Sequence, residues 1–108
     1  MALHVVEEGY GKILRILVVN LLKNAAEVPE CLREDAVAFE GRDWMKLGAA
    51  EKAARLALHE GATGEGSGVA AHFEGYPHPY SKKMFGRYRT ALADYKAELA
   101  GADGTAGA

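Results

Sequence analysis

The sequence predicts an all-α fold, a small bundle of three to four helices, on three observations. Apolar residues recur at steps of three and four over residues 10–26 and again over 85–99, the spacing of one helical face. Alanine, the strongest helix former, is concentrated over 49–57. Pro29, Gly41, Asp43, Gly61 and Ser81 stand where helices should begin and end.

Residues 10–26 (YGKILRILVVNLLKNAA) are the most apolar stretch, and the rest of the chain is expected to arrange itself around them. Ile13, Leu14, Leu17, Val18, Leu21, Leu22 and Ala25 form one face. Ile16 and Val19 carry apolar surface round the side, leaving Lys12, Arg15, Asn20, Lys23 and Asn24 for water. A helix this apolar is buried on more than one side. Residues 2–8 read either as a short strand or as its first turn. Gly9 and Gly11 place the start near Tyr10, because glycine inside a helix costs about 1 kcal/mol. The end falls near Glu27, since Pro29 disfavours helical geometry at Val28.

Pro29 suits the first turn of a second helix that ends at Gly41, with Leu32, Ala36 and Phe39 on one face. The alternation of Val37 and Phe39 leaves a strand as the competing reading. Asp43 is the expected N-cap of a third helix over 44–60, with a stripe of Trp44, Leu47, Ala50, Ala54, Ala57 and Leu58. Gly61 is placed to close it in left-handed geometry. Residues 62–80 read as a long Gly-rich loop, a length unusual in a compact domain and often functional, with a short strand or a helical turn open at 69–73. Ser81 is the expected cap of a last helix over 82–100. Its seam is Phe85, Tyr88, Leu92, Tyr95 and Leu99, widened by Met84 and Ala91. The first and last helices, about 25 and 28 Å long at 1.5 Å per residue, match well enough to lie antiparallel. Residues 1–100 form a single domain and 101–108 (GADGTAGA) a flexible tail.

Composition excludes several function classes. Hydrophobic residues are 49% and charged residues 26% of the 108, as in an ordinary folded domain. The formal net charge of −2 provides no overall basic field for nucleic acid. Cys31 is the single cysteine, so no internal disulfide forms, which suits a reducing, cytoplasmic setting. The opening MALHVVEEGYG lacks the pattern of a secretory signal. The run 13–22 is too short and too charged to span a membrane, which needs about 20 apolar residues.

No motif carries chemistry. GATGEGSG resembles a phosphate-binding loop only in its glycines: no lysine lies between Gly61 and Tyr80, and a helix precedes it instead of a strand. His4, His59, His72 and His78 match no short-range metal-ligand spacing, and one cysteine is too few for a structural zinc site. Cys31 reads as a boundary residue and Ser81 as a cap. Ser67 has only His72 within reach, with no third member. No catalytic residue, metal or cofactor is therefore expected.

Three features point to a partner. The helices over 10–26 and 82–100 are each more apolar or aromatic than one small partner face requires, with Ile16 and Val19 as the surplus. Lys82, Arg89 and Lys96, spaced by seven, line one edge of the last helix's seam, either as a solvated rim or as a contact row. The aromatic segment 73–81 (FEGYPHPYS), stiffened by two prolines, has the composition of a recognition loop. The sequence thus predicts a non-enzymatic protein-interaction module, an oligomeric adaptor or the small subunit of a larger assembly. The expected contact residues are Ile16, Val19, Tyr76, His78, Tyr80, Lys82 and Arg89. The competing readings are a small DNA-binding regulator and, behind it, a small enzyme or metal protein using the loop histidines.

Overall fold

The computed structural model describes residues 3–24, 26–75 and 78–107, with side chains through Gly101. They form five α-helices and one 3₁₀ turn, with no strand among the described residues. The all-α class holds, the described residues hold five helices where three to four were expected, and the strand readings fall away. The elements are α1 (Leu3–Lys23), α2 (Glu30–Gly41), the 3₁₀ turn (Asp43–Lys46), α3 (Ala49–Thr63), α4 (Gly68–Gly75) and α5 (Pro79–Gly107).

Helix α1 begins seven residues earlier than Tyr10. Gly11 is no break: it lets the Phe39 ring of α2 come close, where a Cβ would stand 2.6 Å from the ring carbon. Leu14, Leu17, Val18 and Leu21 are buried as the period requires, whereas Leu22 is 56% exposed. Ala25 lies outside the described residues. Helix α2 ends at Gly41 as expected, but Pro29 is its N-cap residue, at ψ 135°, instead of part of its first turn, and Arg42 closes it in left-handed geometry at φ 66°.

The third helix departs most from expectation. Asp43 opens the 3₁₀ turn instead of capping α3, and Trp44 is buried from that turn. Gly48 precedes α3, its carbonyl accepting from Lys52 N at 3.0 Å. Gly61 lies inside α3, and the positive φ falls on Gly66, at 84°, where glycine is the natural residue. The region read as one long loop is a four-residue turn, 64–67, followed by α4. Ser67 starts α4, its Oγ accepting from Ala70 N at 3.1 Å. Ser81 is not a cap: it is buried in the first turn of α5, its Oγ accepting from Asn20 Nδ2 at 3.4 Å. Pro79 occupies the first position of α5, where its missing N–H costs nothing. Helix α5 continues over residues 101–107, most of the run read as a tail.

Helices α1 and α5 lie antiparallel, Tyr10 opposite Tyr88 and Asn20 opposite Ser81. Their seam (Leu14, Leu17, Leu21, Leu92, Leu99) joins Leu32, Leu56, Val69 and Phe73 from the other helices in one core. No helix among the described residues is long and apolar enough to cross a membrane.

Candidate functional site

Two places gather polar or apolar side chains beyond what simple packing needs. One is inside the bundle. His59 of α3, fully buried, has its Nε2 2.6 Å from Asp35 Oδ2 of α2 and its Nδ1 2.8 Å from the Tyr10 hydroxyl of α1. The Tyr10 hydroxyl lies 3.0 Å from that of Tyr88 on α5. Arg55 donates to the other oxygen of Asp35 at 2.9 Å. A carboxylate only accepts, so Nε2–H is the donor to Asp35, and Nδ1 is left to the Tyr10 hydroxyl. Thr63 donates to the His59 carbonyl at 2.7 Å and accepts from Arg89 at 3.0 Å. Beside this chain, the Trp44 indole N–H donates to Tyr95 Oη at 2.6 Å. Glu7, which faces the Tyr95 hydroxyl, forms a buried ion pair with Lys52. The rings of Tyr10, Phe39, Trp44 and Tyr95 close round these groups, with Phe39 and Trp44 stacked at 4.5 Å.

Carboxylate, imidazole and hydroxyl in a row have the residue types of a nucleophilic triad. The environment argues against that use. Tyr10 is 1% exposed, and burial, with the neighbouring Tyr88 adding to it, holds its hydroxyl far above the ordinary tyrosine range. Burial also raises Tyr95, and it pushes Tyr88 up to about 12. These hydroxyls stay protonated and neutral, as hydrogen-bonding posts between helices. Burial likewise raises the Cys31 thiol, which sits half-buried beside the core and is no poised nucleophile. Among the described residues no group of three or more His, Cys, Asp or Glu side chains is gathered as a metal site.

Sequence reading missed this network because it ranks polar residues as surface. The signal was nevertheless present: Lys52, Leu56, His59 and Thr63 fall at steps of four, three and four, one face of α3, and all are buried. The alanines taken for that face, Ala50, Ala54 and Ala57, are exposed, as is Leu58.

The second place is the outer seam of α1 and α5. A trough runs along it through three hollows. The largest, about 720 Å³, has Val5, Val6, Ile13 and Ala91 among its walls. The next, about 360 Å³, shares Ile13 with it and adds Ile16, Met84 and Tyr80. The last, also about 360 Å³, is lined by Ile16, Val19 and Tyr80 with Arg15, Asn20 and Lys23. Val5, Val19 and Tyr80 are 54%, 46% and 59% exposed.

The expected contact residues therefore divide. Ile16, Val19 and Tyr80 meet in one hollow, and the His78 ring stands edge-on to Tyr80 at 6.4 Å. Lys82 is exposed, while Arg89 turns to Thr63 and Lys96 pairs with Glu60 at 2.5 Å, both on α3. The basic row thus serves, at Arg89 and Lys96, to tie α5 to α3 across the edge of the core. Tyr76 lies outside the described residues. His72 sits on α4 with its ring edge-on to Phe73 at 5.1 Å. The α3–α4 turn has the length of a helix-turn-helix, but α4 (GVAAHFEG) carries no lysine or arginine to meet phosphates. Set against known proteins, the chain matches no family model, no curated protein and no solved structure.

Proposed function

We propose that the chain is a non-enzymatic protein-interaction module, an adaptor or the small subunit of an assembly, that presents the α1/α5 trough to its partner. The observation that carries this reading is the joining of Ile16, Val19 and Tyr80 with Val5 and Ile13 along one continuous apolar depression. Contiguous exposed apolar surface rimmed by polar residues is the usual mark of an interaction site. A helix-lined groove is a recurrent way to receive a partner segment. The buried polar network supports the same reading from the other side, since its chemistry-bearing groups are spent on holding helices together. A cytoplasmic location belongs to the proposal, supported by a fold that uses no disulfide among the described residues.

Mass measured by light scattering across concentration, with and without the copurifying material, tests it. A Val19→Glu, Tyr80→Ser double variant is expected to keep its helical circular dichroism and lose association. A strictly monomeric chain with no copurifying protein sinks the proposal. The competing DNA-binding reading draws on the cations of the trough rim. Salt-sensitive gel shift of duplex DNA would favour it, with log affinity falling roughly linearly in log salt.

A further inference from the structure

Resting on that reading, we infer that the occupant of the α1/α5 trough is an acidic amphipathic helix of a partner protein. Its shape comes first. From Val5 to Val19 the trough follows α1 for about 21 Å at 1.5 Å rise per residue, the length of a four-turn helix. At the wide end Gly9 of α1 and Gly86 of α5 both line the hollow, and a Cβ built on either would meet nothing within 4 Å. Side chains missing from both helices at the same level deepen the depression there. A concave apolar trough of this length receives a rod better than a flat lipid surface.

Its charge comes second. Lys12, Arg15, Lys23, Lys83 and Arg87 border the trough, against Asp94 as the one acid in its lining. This is a cationic strip on a chain whose net charge is −2. None of these five cations has an ion pair within the chain among the described residues, whereas Lys46, Lys52, Arg55 and Lys96 all do. Glu8, nearest in sequence, pairs with His4 at 3.2 Å. Lys12 and Arg15 also border the hollow on the α2 side, with Glu8 and Glu40, so Lys23, Lys83 and Arg87 are the cations that belong to the trough alone. Unmatched cations around an apolar floor select carboxylates around an apolar stripe.

The charge is also uneven along the length. Asp94 stands at the Val5 end, while Arg15 and Lys23 stand at the Val19 end. The negative C-terminus of a docked helix is favoured beside Arg15 and Lys23, and its positive N-terminus beside Asp94. The partner helix therefore runs parallel to α1 and antiparallel to α5.

The test is a display selection of helical peptides about fifteen residues long, enough for four turns, against the full chain, counter-selected on Gly86→Leu. That substitution fills the trough from an open position of a helix and should leave folding intact. The enriched peptides are expected to carry Asp and Glu flanking an apolar stripe. By fluorescence anisotropy they should lose about tenfold or more in affinity on Lys83→Glu with Arg87→Glu, with unchanged thermal melting of the variant, and weaken with salt. A spin label at the peptide C-terminus should broaden resonances near Lys23 and not those near Asp94.

Enrichment of neutral or basic peptides that Gly86→Leu still blocks overturns the acidic occupant and leaves the docking surface standing. Failure to enrich any peptide that needs an open trough, with a monomeric mass at all concentrations, removes both. Tighter binding of phosphatidylserine vesicles or duplex DNA through Lys83 and Arg87, or a homodimer abolished by Gly86→Leu, also overturns it. The occupant is then a polyanionic surface or a second copy.

Discussion

Asp35 heads the buried polar row that links α2, α3 and α1. It accepts from Arg55 and from His59, and His59 in turn fixes the Tyr10 hydroxyl. Asp35→Ala leaves the imidazole without its acceptor in a dry interior and is expected to cost about 3–5 kcal/mol in urea unfolding. The Glu7–Lys52 pair makes the same point in a form a double-mutant cycle can read. Lys52→Met alone strands a buried carboxylate and should destabilise by a similar amount. Glu7→Leu added to it should restore most of the loss, because well-packed apolar replacements of a buried ion pair are often neutral or better. Non-recovery in the double variant would show that the pair contributes attraction beyond its own desolvation. Gly11→Ala should cost about 1–3 kcal/mol by overpacking against Phe39, and Phe39→Leu on that background should relieve part of it.

Among the elements, the long apolar faces of α1 and α5 were legible because their burial is decided by period and hydrophobicity together. Tyr88, Leu92, Tyr95 and Leu99 are buried where the seven-residue seam puts them, and the two helices do lie antiparallel. Helix α3 was not legible by the same rule. Its inner face is Lys52, Leu56, His59 and Thr63, whose polar atoms are satisfied by Glu7, Asp35, Tyr10 and Arg89, all distant in sequence. No local pattern states that such partners exist. Helix α4 was legible only as one of two readings, a helical turn or a short strand at 69–73, because its flanking glycines are read as loop; here Gly68 and Gly75 only bound it. The structure and the sequence reading give opposite expectations on α3. Leu56→Ala should cost about 2–5 kcal/mol, and Ala54→Glu should stay within about 0.5 kcal/mol, as exposed positions do. Chemical denaturation of the two variants decides between the faces.

For the whole molecule, the neutral tyrosines set the alkaline limit of the fold. Tyr10, Tyr88 and Tyr95 have pKa values raised by burial above the ordinary value near 10.0. A raised value means that the folded state holds the proton more tightly than the unfolded one. The stability this represents is complete below pH 10 and is lost as pH climbs towards the folded values, about 12 for Tyr88. Each such tyrosine is expected to subtract about 1.4 kcal/mol per pH unit in that window. In a Cys31→Ala variant, which removes the raised thiol, urea midpoints should therefore be flat from pH 8 to 9.5 and fall steeply above about pH 10. Absorbance at 295 nm should show these phenols ionising only as the helices come apart. A flat midpoint through pH 11.5 would mean that water already reaches these hydroxyls.

The lone indole of the chain has a further use. Trp44 is sealed between Phe39 and Tyr95, and its ring lines none of the three hollows of the α1/α5 trough. Its emission should be blue and shielded from iodide in the native state, and should turn red when the interior opens. Because it stands away from the trough, it should stay dark to a ligand seated there. One fluorophore, already built in, thus separates occupancy from unfolding in the same cuvette.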